Sequence, residues 1–181
     1  MTAGGTTSAF EAAIVPWLDA GYNLARWLLR DEAQAEYAVQ EAVLRALRYF
    51  HALRGGEARA WFLGIVRKTC FTHLEQRRDG REQNGLEDDH LEVLQWSAGL
   101  AGQDPALLVE QSQGRGRVDA AIRALSPPLR EVLVLRELEE LDYAEIAQVV
   151  GIPIGTVMSR LSRARAQLKM RLSPTGQAGR S

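Results

Sequence analysis

The amino-acid sequence predicts an all-α protein, and the spacing of its apolar residues is the main reason. Apolar side chains recur at intervals of three and four along most of the chain, as they do on one face of a helix. Two of these stripes are Leu18, Tyr22, Ala25 and Leu29, and Val157, Leu161, Ala164 and Leu168. Only the block from Val132 to Leu135 could compete as a strand, and good helix formers flank it. The 181 residues allow one ordinary domain or two small ones.

The charged residues fall into blocks, although 22 basic and 23 acidic side chains nearly cancel. Residues 45–81 hold nine basic side chains against three acidic ones, and residues 155–172 hold five basic side chains and no acidic one. Between these blocks, residues 82–110 hold seven acidic side chains and no Lys or Arg. Two basic blocks separated by an acidic one indicate a nucleic-acid partner more strongly than the net charge does.

The pattern divides the chain into two small helical domains, a first domain at residues 9–78 and a second domain at residues 117–172. Residues 79–116 are rich in glycine and acidic side chains and predict a flexible acidic linker with, at most, short helical turns. The tail, residues 173–181, has no apolar stripe and is expected to be disordered. Because the linker offers few apolar anchors, we expect the two domains to move independently.

The composition excludes several classes of function. One cysteine supplies too few thiolates for a structural zinc site, and 3 histidines leave little material for a metalloenzyme. Cys70 lies on an apolar stripe, which predicts an inert core residue. There is no phosphate-binding glycine loop and no nucleophile elbow, so we expect no enzyme, metal or cofactor. The chain has no apolar run of about 18 residues, and Met1–Phe10 lacks the features of a secretory signal. We therefore expect a cytoplasmic protein without membrane insertion.

The segment from Leu141 to Leu172 predicts a helix-turn-helix. Asp142 and Glu145 have the spacing of a capping box, Gly151 suits the left-handed end of the first helix, and Pro153 suits the first turn of the second. A basic helix in an ordinary bundle would not require this cap, glycine and proline together, so the pattern favours DNA binding. The face that would meet DNA carries hydroxyl and basic side chains, namely Thr156, Ser159, Arg160, Ser162, Arg163 and Arg165.

Residues 125–168, LSPPLREVLVLRELEELDYAEIAQVVGIPIGTVMSRLSRARAQL, closely resemble region 4 of the bacterial RNA polymerase sigma factors of the extracytoplasmic-function (ECF) group. In that family the domain binds the −35 promoter element through its second helix. The resemblance implies base reading by Met158, Ser159, Ser162 and Arg163. Met158 stands where the family often has Lys or Arg, which implies that one polar contact is absent and that Arg163 matters more.

The first domain also resembles this family, in its region 2. Residues 33–48, AQAEYAVQEAVLRALR, are similar to the helix that binds core polymerase. Gln34 and Tyr37 stand where the family usually has aspartates, which reduces the acidic part of that surface. The resemblance implies contact with the clamp helices of the beta-prime subunit by Glu36, Val39, Gln40, Glu41, Leu44, Arg45 and Arg48.

Residues 57–78, EARAWFLGIVRKTCFTHLEQRR, resemble the part of region 2 that melts and reads the −10 element. Basic side chains can follow the phosphates of a single strand, and the loop at residues 51–56 has the flexibility to line a pocket for an unstacked base. We assign Trp61 and Phe62 to the core and expect His73 to be a phosphate or surface contact rather than a metal ligand. The predicted −10 contacts are His51, Arg54, Arg67, Lys68, His73, Arg77 and Arg78.

Three functions compete at this point. The first is a sigma factor that binds core polymerase, recognises −10 and −35 elements and is controlled by an anti-sigma factor. The second is a helix-turn-helix repressor or activator with a sensor or dimerisation domain, which would not need the basic block at Arg45–Arg81. The third is a decoy that binds an anti-sigma protein and no DNA, and the five basic side chains of the last helix argue against it. We therefore expect the first.

Overall fold

The computed structural model describes residues 3–84 and 105–173, and within these ranges every regular element is helical. Short 3-10 helices at Val15–Trp17 and Phe50–Ala52 follow the first and third α-helices. In chain order the α-helices are α1 (Ala3–Ile14), α2 (Leu18–Leu29), α3 (Glu32–Arg48), α4 (Ala58–Asn84), α5 (Pro105–Arg123), α6 (Pro127–Glu137), α7 (Tyr143–Val150) and α8 (Ile154–Leu172). The predicted all-α class is confirmed.

Small residues bring the helices of the first domain close together. The inner face of α3 is made of four alanines that are fully buried, Ala35, Ala38, Ala42 and Ala46. On α2, Gly21 faces α4 so closely that a Cβ atom there would lie 2.9 Å from Cε1 of Phe62. Larger apolar side chains such as Leu24, Phe62 and Val66 fill the remaining space. Because α3 packs inward through alanines, its larger side chains are left for the outer face.

The second domain consists of α5 to α8 packed around α6. Residues 129–135 of α6 are all buried, including the charged pair Arg130 and Glu131 in the middle of an apolar run. Ile122 of α5, Leu129 and Leu133 of α6 and Ala164 of α8 form a cluster within this domain. Helix α6 therefore occupies the centre of the domain and packs against the buried side of α8.

The two domains pack directly against each other, with α2 on α6 and α4 on α7. One apolar cluster runs from Leu24 and Phe62 in the first domain to Val132 and Ile146 in the second. A Cβ atom on Gly64 of α4 would lie only 3.6 Å from the carbonyl oxygen of Val149 in α7. The expectation of independent domains is therefore wrong for this structure. It considered only the linker, whereas the contacts come from the helices of the domains themselves.

The helices also extend into both ends of the predicted linker. Helix α4 continues past Gly80 to Asn84, and α5 begins at Pro105, so residues 79–84 and 105–116 are helical. Good helix formers such as Arg81, Glu82 and Gln83 explain the continuation of α4. The middle of the predicted linker and the tail from residue 174 onward lie outside the described residues. Among the helices of the described ranges, none has both the length and the apolar character needed to cross a membrane.

Candidate nucleic-acid interface

The predicted helix-turn-helix is formed by α7, a short turn and α8. The Asp142 carboxylate accepts a hydrogen bond from the Glu145 N–H, and the Glu145 carboxylate accepts one from the Asp142 N–H, each at 2.8 Å. Gly151 ends α7 in the left-handed region, with φ of 73°, and its N–H donates to the Ala147 carbonyl at 2.8 Å. The predicted capping box and glycine end are both confirmed. Pro153 was predicted to lie in the first turn of the second helix. It is instead the N-cap residue, and α8 begins one residue later, at Ile154.

Helix α8 is amphipathic and turns its polar face away from the domain. Its buried side is formed by Val157, Leu161 and Ala164. The predicted −35 residues Ser159, Ser162 and Arg163 are exposed on the other side, and Met158 beside them is 53% exposed. Thr156 is half-buried near the start of the helix. Short hydroxyl side chains and an unobstructed guanidinium suit a helix that enters a major groove.

The two other predicted −35 arginines are held by carboxylates of α6. Arg165 donates to Oε1 of Glu137 at 2.6 and 3.1 Å, on an exposed part of the surface. Arg160 donates from Nη1 to Oε1 of Glu131 at 3.5 Å. The structure therefore does not give these arginines the unobstructed position that it gives Arg163.

Glu131 links the two domains because it also binds Arg67 of α4. Arg67 donates from Nε to Oε2 at 2.6 Å and from Nη2 to Oε1 at 3.1 Å, and its guanidinium lies 4.6 Å from the centre of the Phe71 ring. The Glu131 side chain is fully buried. Burial raises the pKa of Glu131, and the hydrogen bonds and charge of Arg67 oppose that rise. In this conformation one buried carboxylate therefore binds two side chains predicted to contact DNA, Arg67 and Arg160.

Arg130, the neighbour of Glu131, joins the ends of two helices. Its guanidinium donates to the carbonyl of Trp27 at 3.1 Å, at the end of α2, and to those of Arg123 and Leu125 at 2.9 and 2.7 Å, at the end of α5. A cation is favourable at a helix C-terminus, where carbonyls lack partners within the helix. Neither Arg130 nor Glu131 was among the residues predicted from the sequence, although a charged pair inside the apolar run LREVLVL is a visible signal.

The predicted −10 residues do not form one continuous surface. His51, Arg54, Lys68 and Arg78 are exposed, as a contact with a single strand would require. Arg67 faces the second domain instead, and half-buried Arg77 lies 3.5 Å from the Leu29 carbonyl at the end of α2. Two of the basic side chains on α4 are thus directed toward other parts of the protein.

The expectation that His73 is a phosphate or surface contact is wrong, because the structure buries it. Its Nε2 lies 2.8 Å from Oε2 of Glu41 on α3, and its ring lies 5.6 Å from that of Tyr37. The cause is helical periodicity, since His73 follows Thr69 by four residues and therefore continues the face of α4 that packs against α3. His73 instead packs against α3 through its contacts with Glu41 and Tyr37.

Helix α3 presents an outer face with exposed apolar side chains. Asp31 caps its N-terminus, and the Asp31 carboxylate accepts a hydrogen bond from the Gln34 N–H at 2.9 Å. Of the predicted polymerase contacts, Glu36, Gln40, Leu44 and Arg48 are exposed, whereas Val39, Glu41 and Arg45 are half-buried. Glu41 and Arg45 form an ion pair with each other.

Two further exposed side chains on α3 were not among the predicted contacts. Tyr37 is 60% exposed and Leu47 is also exposed, beside Leu44, which is 67% exposed. Their spacing of seven and three residues places all three on the outer face of the helix, opposite the buried alanines. The exposure of Tyr37 and Leu47 could have been predicted from the sequence. Once the alanine stripe is taken as the inner face of α3, helical periodicity places both residues on the opposite face.

The predicted core residues near this site are confirmed. Phe62 is fully buried, and Trp61 packs against the same core from a half-buried position. Cys70 is also fully buried, and burial raises the pKa of its thiol to about 12. A thiol in such surroundings stays protonated and unreactive at neutral pH.

Comparison with known proteins connects these features. Residues 14–79 match the family described as Sigma-70 region 2, and residues 115–168 match Sigma-70, region 4. The chain is 28% identical to the RNA polymerase sigma-H factor of Pseudomonas aeruginosa, over 94% of this chain and 89% of that protein. It is 33% identical to the ECF RNA polymerase sigma-E factor of Escherichia coli, over 75% of this chain and 72% of that protein.

Solved structures agree with the sequence comparison. The sigma factor RpoE from Bartonella quintana, in complex with the anti-sigma factor NepR, matches with a TM-score of 0.70 and 25% identity, over 91% of this chain and 96% of that chain. CnrH, in complex with the cytosolic domain of CnrY, shares the fold with a TM-score of 0.65 and 22% identity, over 94% of this chain and 92% of that chain. Two domain matches, in the order found here and together with these relatives, show that the chain belongs to the ECF group of the sigma-70 family of RNA polymerase sigma factors.

Proposed function

We propose that this sigma factor binds core RNA polymerase through the outer face of α3 and directs it to promoters through α8. The observation that supports this most is the presence of two separate and exposed surfaces in one chain. One is the apolar outer face of α3, and the other is the hydroxyl- and arginine-bearing face of α8. A subunit that joins a protein to DNA needs both.

The outer face of α3 has the properties of a protein-binding surface. The alanine stripe already satisfies the packing of α3 within its own domain, yet Tyr37, Leu44 and Leu47 remain exposed. Exposed apolar side chains on one helix face, together with exposed polar residues such as Gln40 and Arg48, are typical of an interaction site. We assign its partner as the clamp helices of the beta-prime subunit, and a cytoplasmic location follows from that partner.

Promoter contacts are assigned to both domains. In the second domain, Met158, Ser159, Ser162 and Arg163 would meet the −35 element. In the first domain, the exposed residues His51, Arg54, Lys68 and Arg78 would meet the −10 element. Arg67 commits its Nε and Nη2 to Glu131 of the second domain, so these two donors can turn to DNA only if that pair opens. We therefore propose that promoter binding is accompanied by separation of α4 and α6.

Control by an anti-sigma factor is also proposed. It rests on the relative RpoE, whose solved structure is a complex with the anti-sigma factor NepR and matches over 91% of this chain. An anti-sigma factor that covers the outer face of α3 or the exposed face of α8 would block polymerase or promoter binding.

Reconstitution with core RNA polymerase tests the proposed function. We expect the purified chain to bind core polymerase and to start specific transcripts from a library of bacterial promoter fragments. Leu44→Glu should abolish core binding, because it puts a charge into the apolar face. Val15→Glu is the matched control, since Val15 is an exposed apolar residue of the first domain outside α3. Equal core binding by the wild type and Leu44→Glu would overturn the assignment of α3, and failure of the wild type to start transcripts would overturn the proposed function.

A further inference from the structure

Two large apolar side chains remain exposed at the beginning of α8. Ile154 is 47% exposed and Met158, one turn later, is 53% exposed. The packing of the helix within its domain does not require them, because Val157, Leu161 and Ala164 already form its buried side. The buried side of α8 therefore does not account for a large apolar residue at position 158.

The surroundings of Met158 indicate what its side chain meets. It lies next to Ser159 in sequence and one turn before Ser162 on the same face of the helix, and both serines are exposed. Helix α8 carries no acidic residue. A thioether has no hydrogen to donate to a phosphate oxygen, and its sulfur is only a weak acceptor. On this basic helix Met158 therefore adds nothing to phosphate binding, and its useful contact must be apolar.

The major groove offers one prominent apolar group, the C5 methyl of thymine. In a helix-turn-helix protein, the residues in the N-terminal part of the second helix contact the base edges. Met158 is the fifth residue of α8 and belongs to this part. Its unbranched side chain adapts easily to a small apolar partner.

We propose that Met158 contacts a thymine methyl group in the −35 element, so that this protein selects an A·T pair at one position of that element. The proposal rests on the proposed function of α8 as the −35-reading helix. It names Met158 as a residue that sets specificity, rather than as a position at which a polar contact is merely lost.

The experiment uses the full chain assembled with core RNA polymerase. Promoter fragments with a randomised −35 region are bound by the holoenzyme, and the retained fragments are sequenced. We expect wild-type holoenzyme to enrich a thymine, on either strand, at one position. Replacing that thymine by deoxyuridine removes only the methyl group, and we expect binding to weaken about threefold to fourfold, the effect of losing one buried carbon group.

Variants of two methionines on α8 complete the design. Met158→Ala should make binding insensitive to the deoxyuridine replacement, whereas Met170→Ala should leave the sensitivity unchanged. Met170 is the matched control because it is a methionine near the other end of α8 and is 69% exposed. Met158→Arg should change the enriched base from thymine toward guanine, since arginine pairs with the guanine edge.

The outcomes separate this inference from the proposed function. If wild-type holoenzyme enriches a −35 sequence but deoxyuridine weakens binding equally in the wild type and Met158→Ala, the assignment of Met158 is overturned and the role of α8 stands. The same holds if no thymine is enriched. If the holoenzyme binds promoters without any preference in the randomised region, the role of α8 itself is overturned, and the inference fails with it.

Discussion

The carboxylate of Glu131 and the guanidinium of Arg67 form a two-point ion pair that joins the second domain to the first, with distances of 2.6 and 3.1 Å. The pair combines a residue from the buried middle of α6 with one that the sequence assigns to DNA. A carboxylate that is fully buried is stable as an anion only while its partner remains. This relationship explains why Arg67 faces the interior, and it makes the contact between the domains sensitive to a single substitution.

Glu131→Ala is expected to destabilise the protein strongly, because it leaves Arg67 without its partner beside the apolar contact between the domains. Breaking a buried ion pair typically costs about 3 kcal/mol or more. The free energy of unfolding in urea should fall by an amount of this order. Glu137→Ala is the matched control, since the Glu137–Arg165 pair is about half exposed and such pairs contribute about 0–1 kcal/mol. Similar losses for the two variants would mean that Glu131 is not the important partner.

Arg130→Lys is expected to loosen the contact between the domains although it keeps the charge. The guanidinium reaches carbonyls at the ends of both α2 and α5, whereas a single ammonium group cannot span two helix ends. We expect the radius of gyration measured by small-angle X-ray scattering to increase, with little change in helical circular dichroism. Arg136→Lys serves for comparison, because Arg136 donates to the Leu141 carbonyl within its own domain, and this variant should leave the radius unchanged.

Gly151→Ala should lower the free energy of unfolding by about 1 kcal/mol, because a side chain is unfavourable in the left-handed region. Gly155→Ala should have the opposite effect and raise stability by about 0.5–1 kcal/mol. Gly155 lies within α8, and a Cβ atom there would meet no other atom within 4 Å. Thermal unfolding of both variants measures the difference. Since a Cβ atom meets nothing within 4 Å at either glycine, a loss at Gly151 no larger than at Gly155 would mean that the left-handed conformation does not determine the effect.

The reactivity of Cys70 should report unfolding. Because burial raises the pKa of its thiol to about 12, the folded protein holds almost no thiolate at pH 8, and a thiol reagent should not react within minutes. In urea the pKa returns to about 8.5 and the reaction should be complete. The raised pKa also predicts a pH effect on stability. Above about pH 8.5 the thiol ionises in the unfolded chain but not in the folded one, so the free energy of unfolding should fall. Cys70→Ala should remove this loss. Rapid labelling of the folded protein at pH 8 would contradict the buried assignment.

Local sequence patterns predicted the helices and the helix-turn-helix because the determining interactions lie within a few residues of each other. The bonds of Asp142 with Glu145 and the conformation of Gly151 belong to this class. The contact between the domains was not predicted, since Arg67 and Glu131 are 64 residues apart and no local pattern relates them. The burial of His73 could have been predicted from its spacing to Thr69, but its basic neighbours favoured a surface role.

Arg163→Ala should reduce initiation at promoters that depend on the −35 element while leaving core polymerase binding intact. Arg163 is exposed on α8, and its one intramolecular contact described here is a long one, 3.5 Å from its Nε to the Ser159 carbonyl. Replacing the Arg163 side chain by alanine should therefore leave the free energy of unfolding unchanged. Loss of an arginine contact to guanine costs about 1–3 kcal/mol in discrimination, which corresponds to a loss in initiation of roughly fivefold to 160-fold.

The control for Arg163 is Arg171→Ala, which removes an exposed arginine from the far end of the same helix. It should have a much smaller effect, because the end of the recognition helix contacts phosphates at most. Salt dependence distinguishes the kinds of contact, since loss of a phosphate contact lowers the slope of binding against salt concentration by about one. If Arg163→Ala lowers that slope but leaves the choice of −35 sequence unchanged, Arg163 binds the backbone. If it also loses core polymerase, the separation of the α3 and α8 surfaces is wrong.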